Sequence, residues 1–316
     1  MKPNLNRRDF LKTTAVSVSL GSLPLQAAAG SIPKRTLGKT KAQVSILAFG
    51  GGSRFLQYDE ESGLRALNEA IDSGINYLDT AQAYGDGQSE ERYGRVLNTR
   101  RNEVFLATKV QDRSYDGALK AVEASLKRLQ TDHLDLLHIH SLNDLDDLAT
   151  IEKGVLKALY KLRDDKTTRF IGMTCHAQAE ALKTAIERHD LDCVQMALNP
   201  ATNTGYATGF ERIALPVANA KNLGVLAMKV MGQERLVGGG PGRTSGSRLL
   251  RYALNLPVAA CVVGMPKIEM LRENIQVARD YKPLSPTERD QIRSSVAVSA
   301  AAFDHFMLCH HDDGLA

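Results

Sequence analysis

The chain has 316 residues, with 40 Lys and Arg against 36 Asp and Glu, so its net charge of +4 is too small and scattered to argue for a nucleic-acid partner. With 43% hydrophobic and 24% charged residues it has an ordinary globular composition, and its length suits one large domain or two average ones. Its cysteines, Cys175, Cys193, Cys261 and Cys309, lie far apart without a C-x-x-C pair, which argues against a disulfide scaffold and against a structural zinc site. No metal is expected, and Cys309-His310-His311 reads as a solvated polar end.

At the N-terminus "NRRDFLK" precedes a mildly apolar run, "TTAVSVSLGSLPL", and then "QAAAG", whose small residues suit a signal peptidase. The arrangement resembles a twin-arginine export signal. The run is rich in Ser, Thr and Gly and falls short of the roughly 20 apolar residues that span a bilayer. Residues 1–29 are therefore expected to be a removable signal cut after Ala29, with no stable membrane insertion of the mature chain. The resemblance implies the twin-arginine machinery as a partner, export of a folded and cofactor-loaded protein, and a periplasmic location, or a cytoplasmic one if the signal is not functional.

From Ile32 onward β-rich runs alternate with helical periodicity. The runs are 44–49, 76–79, 103–110, 134–140, 169–174, 193–198, 224–230 and 259–265. Between them lie segments such as "EESGLRALNEAIDSG", "GALKAVEASLKRL", "EKGVLKALYKLRDD" and "AEALKTAIERH", with apolar residues three and four apart. Eight strand-then-helix units predict an α/β fold, a (β/α)8 TIM barrel over 32–316. A doubly wound sheet is the rival, but "AFGGGSRF" has Gly50, Gly51 and Gly52 in a row and lacks the G-x-G-x-x-G spacing. "PKRTLGKTKAQ", before the first unit, predicts a hairpin plugging the barrel bottom.

Barrel enzymes do their chemistry at the carboxyl ends of the strands. Asp79 ends the second predicted strand, Tyr84 follows in its loop, Lys109 is near the end of the third, and His140 ends the fourth. Each alone has a commoner structural explanation, yet the four converge on one rim. Together they suit carbonyl reduction, which leaves negative charge on oxygen and needs a proton donor. A free phenol, with a pKa of about 10, donates sluggishly at neutral pH, and a neighbouring ammonium lowers that value. In this arrangement Lys109 supplies the ammonium, Asp79 holds it, and His140 orients the substrate oxygen. The group is expected to titrate as a coupled unit.

"LDTAQAYGDGQSE", "FLATKV" and "LDLLHIHS" resemble the aldo-keto reductase superfamily, over nearly the whole chain after the signal. The resemblance implies a nicotinamide-dependent reductase of aldehydes or ketones, or the reverse reaction on an alcohol, with Tyr84 as general acid and base, Asp79 and Lys109 as its tuners and His140 as orienter. For the cofactor it implies Gly51, Thr174 and Cys175 at the place of the family's Ser-Asn, Gln195 for the carboxamide, and Met228 against the ring where an aromatic is usual. Lys229 is placed at the pyrophosphate, with Glu273 and Asn274 at the adenine. Met270 replaces the usual Arg or Gln, which leaves a 2′-phosphate to Lys267 and Arg272; NADP(H) is favoured over NAD(H). The Gly-rich stretch 232–247 is open to folding over the cofactor or to serving as a plain connector. The alternative reading is an exported cofactor-binding or sensor protein of the same fold with little turnover.

Overall fold

An antiparallel hairpin opens the computed structural model, which describes residues 30–202 and 209–309. The expected export signal and its cleavage point, together with His310 and His311, lie outside the described residues. The hairpin pairs β1 (Lys34–Thr36) with β2 (Gln43–Ser45), and Thr36 faces Gln43. Its turn enters the floor of the fold. Leu37 is fully buried, and Lys39 donates its backbone N–H to Asn222 O at 2.6 Å. Gly38 adopts φ +49° where a Cβ would stand 2.3 Å from the Leu223 carbonyl carbon, so only glycine fits.

Eight further strands close a parallel barrel: β3 (Leu47–Gly50), β4 (Tyr77–Asp79), β5 (Phe105–Val110), β6 (Leu134–Ile139), β7 (Thr168–Cys175), β8 (Cys193–Ala197), β9 (Gly224–Met228) and β10 (Ala260–Val263). β10 pairs with β3 to complete the ring. The first expected run, 44–49, divides in two. Its start pairs with the hairpin, and the barrel strand begins only at Leu47. The seventh run stops at Met228 rather than Val230, because Lys229 turns left-handed at φ 55°.

The helices are α1 (Glu60–Asp72), α2 (Gln88–Arg100), α3 (Tyr115–Leu129), α4 (Leu145–Lys153), α5 (Val155–Asp164), α6 (Ala179–Arg188), α7 (Ala214–Ala220), α8 (Gly246–Leu254), α9 (Ile268–Arg279), α10 (Pro286–Val296) and α11 (Ala300–Cys309). Their starts follow local chemistry: the Asp59, Ser114, Asp144 and Ser245 side chains each accept a first-turn N–H, and Ser285 forms a capping box with Glu288. "EKGVLKALYKLRDD" is split by Gly154, which ends α4 and precedes α5.

Strand residues alternate between two cores. Leu78, Leu106, Leu137 and Ile139 face outward into the helix shell. Tyr77, Phe105, Leu136, Cys193 and Leu226 face the barrel interior, where they meet Leu37 and Val44 from the hairpin. Tyr77 stacks on Phe105 at 5.3 Å, and Phe105 on Phe170 at 6.3 Å. The floor is closed by apolar and aromatic packing, and a cleft lies at the other end, at the strand ends Asp79 and Met228.

Candidate active site

The same alternation carries polar side chains to the mouth. Two residues beyond inward Tyr77 comes Asp79; two beyond inward Ala107 comes Lys109. Register puts Lys109 beside His138 of β6. The Lys109 Nζ donates to Asp79 Oδ1 at 2.5 Å, Thr80 O at 2.8 Å and Tyr84 Oη at 3.1 Å. Three acceptors match the three protons of an ammonium. Lys109 and Asp79 are each 1% exposed, so this pair is desolvated and depends on its hydrogen bonds.

The turn that aims Tyr84 is fixed from behind. Thr80 N bonds Ala107 O, and Tyr84 N bonds Ala81 O. The Tyr93 hydroxyl donates to Asp79 O at 3.0 Å, while the Thr80 and Ser89 hydroxyls share a bond of 2.8 Å. Gly51 donates to Asp79 O, and a Cβ on it would lie 2.6 Å from Ser89 Oγ and 2.7 Å from Tyr93 Oη. Gly51 thus packs against the turn, and it is Gly50 and Gly52 that line the cleft. His140 follows β6 directly, its N–H on Val110 O. Its ring meets that of Tyr84 edge-on at 5.6 Å, and the buried His176 ring lies 6.1 Å beyond.

Beside Tyr84 and Asp79 opens a cleft bounded by Gln195, Met228, Lys229, Gly264 and Met270. Gln195 Nε2 donates to the Met228 sulfur at 3.7 Å, and its Oε1 is buried without a partner. A buried orphan acceptor is costly unless something donates to it. A carboxamide NH₂ is a donor of the right kind, so the residues present fit the amide end of a nicotinamide. Lys229 lines the same cleft, and its carbonyl is held by the Asn199 amide at 2.9 Å.

Other expected cofactor residues are dispersed. Thr174 Oγ1 accepts from Ser141 N at 2.8 Å. The Cys175 thiol belongs to the outer shell, bonded to Leu142 O and Gln178 O, and burial pushes it up to about 12. The period of two explains the correction: if Thr174 faces inward, Cys175 cannot. Asn274 is buried and Glu273 exposed on α9. Lys267 begins that helix, exposed, and lines a separate hollow with Tyr58, Glu69 and Arg272. Arg272 is committed to Glu69 by bonds of 2.6 and 3.0 Å, so of the two cations Lys267 alone makes no ion pair.

Some residues at the cleft gave no signal in the sequence. Arg54, after β3, donates to Gln233 O at 3.2 Å and approaches Glu234 at 3.5 Å, carrying the stretch after β9 across the cleft. His138 is fully buried beside Lys109, and neither ring nitrogen has a partner. Burial and then the Lys109 charge hold its pKa well below the usual histidine value. Gly172 leaves it room, since a Cβ there would lie 2.5 Å from the His138 Nδ1. Among the described residues no helix is long and apolar enough to cross a membrane, and no cluster of three or more His, Cys, Asp or Glu could hold a metal.

Known proteins resemble this chain in sequence and fold. Residues 47–243 match the Aldo/keto reductase family. L-galactose dehydrogenase of Arabidopsis thaliana is 27% identical over 290 residues, covering 80% of this chain and 90% of its own. Among solved structures, an aldo-keto reductase from Bacillus halodurans in its holo form superposes with a TM-score of 0.73 at 25% identity, covering 84% of this chain and 97% of the other. One from Klebsiella pneumoniae in complex with NADP and acetate does so with a TM-score of 0.70 at 25% identity, covering 84% and 96%.

Proposed function

The chain belongs to the aldo/keto reductase family, and from that premise we propose that it reduces an aldehyde or ketone to an alcohol, or runs the reverse, with NADP(H) as cofactor. The observation that carries the reading is the set of three hydrogen bonds that Lys109 donates to Asp79, Thr80 and Tyr84 at the mouth of the barrel. A bound reduced nicotinamide supplies the hydride; Gln195, Met228 and Lys229 would hold it, with Asn274 and Glu273 toward the adenine. The protein supplies the proton. As negative charge gathers on the carbonyl oxygen, the Tyr84 hydroxyl gives up its proton, and the adjacent ammonium stabilises the phenolate left behind. Asp79 keeps that ammonium in place, and in the reverse direction the phenolate takes the proton back. His140, edge-on to Tyr84, donates to the same oxygen and orients it.

NADP(H) rather than NAD(H) is supported by the relatives solved with NADP and NADPH and by the unpaired Lys267, which is left for a 2′-phosphate. The test is to mix purified protein with NADPH and a panel of aldehydes and follow absorbance. Steady turnover lost in Tyr84→Phe supports the reading; tight dinucleotide binding without turnover points to a binding protein instead. Export through the twin-arginine route is a proposal resting on residues 6–29, tested by the N-terminal residue of protein recovered from its compartment.

A further inference from the structure

We propose that Arg113, in the loop after β5, is a positioning residue that fixes the His140 loop beside Tyr84; this rests on the reading of His140 as the group that orients the carbonyl. The loop needs fixing, because Ser141 directly after the histidine adopts a left-handed φ of 57°, which a non-glycine residue keeps only when its surroundings enforce it. Arg113 reaches it from the neighbouring strand's loop. Its Nη1 donates to His140 O at 2.9 Å and Gln111 O at 3.1 Å, and its Nη2 to Ser141 O at 2.8 Å.

The guanidinium is itself aimed by a carboxylate. Asp147, in the first turn of α4, accepts from Nε at 2.8 Å and Nη2 at 2.9 Å. The same Oδ2 takes the Asn143 N–H at 3.0 Å. One side chain thus spans the β5 loop, both carbonyls around the left-handed residue, and the helix that follows. Thr174 closes the other side, accepting from Ser141 N and Leu142 N. A planar fork with five donors makes this set of bonds; a lysine ammonium does not. The imidazole's direction is set where the main chain leaves β6, so slack in the 140–141 carbonyls becomes slack in the hydrogen bond to substrate.

The experiment is a double-mutant cycle on the full chain with NADPH and one reducible aldehyde. Arg113→Ala is expected to lower kcat about tenfold, since misplacing a group by about 1 Å costs up to a hundredfold. NADPH affinity, read by fluorescence titration, stays unchanged. In a His140→Ala background the further loss from Arg113→Ala vanishes, which a merely structural role would not produce. Guanidinium ion restores part of the single variant's rate, and Arg113→Lys restores little. Should Arg113→Ala fold poorly, Asp147→Asn loosens the fork while keeping the carbonyl bonds, with a smaller loss that again disappears without His140. Unchanged kcat, or equal losses with and without His140, overturns the proposal. Full turnover in His140→Ala alone would instead overturn the reading of His140, and the proposal with it.

Discussion

Floor and mouth of this barrel are both built from buried side chains, and both come from the same strands two to four residues apart. On β4 the floor residue is Tyr77 and the mouth residue Asp79; on β5 they are Phe105 and Lys109; on β6 Leu136 gives way to His138. At the floor, stacked rings and Leu37 gain by leaving water, and nothing there needs a partner except the Tyr77 hydroxyl. At the mouth each buried group costs desolvation that only specific bonds offset, and Gln195 Oε1 keeps an acceptor unused. Stability is thus placed at one end of each strand and reactivity at the other, so a substitution should disturb one property and spare the other.

The largest expected effect is at the mouth. Tyr84→Phe removes a proton donor and little packing, so kcat should fall by about 10²–10⁴-fold while the melting temperature stays within a few degrees of the parent. A large loss of stability with it would show that the hydroxyl also holds the fold, and the division would break. Leu37→Ala is the counterpart at the floor. It empties a fully buried site beside Cys193 and Gly224, and by the usual range for such cavities it should cost about 2–5 kcal/mol in urea unfolding. Turnover per folded molecule should not change; if it drops, floor and mouth are coupled through the barrel.

The sequence was legible where one local rule decides. Eight β-rich runs separated by helical periodicity led to the barrel, and "PKRTLGKTKAQ" to the hairpin beneath it, because alternation, spacing and turn residues are short-range signals. Residues that a strand delivers to the mouth, Asp79, Lys109 and His140, were readable from their place at strand ends. What was hidden depends on long-range meeting. Arg113 finds His140 O across 27 positions, Arg54 finds Gln233 O across 179, and the pairing of Arg272 with Glu69 spans 203. Cys175, expected at the cofactor, packs in the outer shell for a smaller reason: adjacent strand residues do not share a face.

The smallest expected effect sharpens the comparison at the rung where floor becomes mouth. His138 is an ionisable group in an apolar interior, its pKa held well below the ordinary value of about 6.5 by burial and by Lys109. Folded protein therefore keeps it neutral at pH values where the unfolded chain protonates it. Below about 6.5 the unfolded state binds the extra proton, and stability falls as pH falls until the folded-state pKa is reached; above it the contribution is flat. His138→Gln keeps a polar side chain of similar size without the titration. Urea unfolding at steps from about pH 7.5 down to 5 should show the parent losing up to about 1.4 kcal/mol per pH unit more than the variant. Parallel curves for the two proteins would mean that His138 charges as readily folded as unfolded, and that water reaches further down the barrel than its packing indicates.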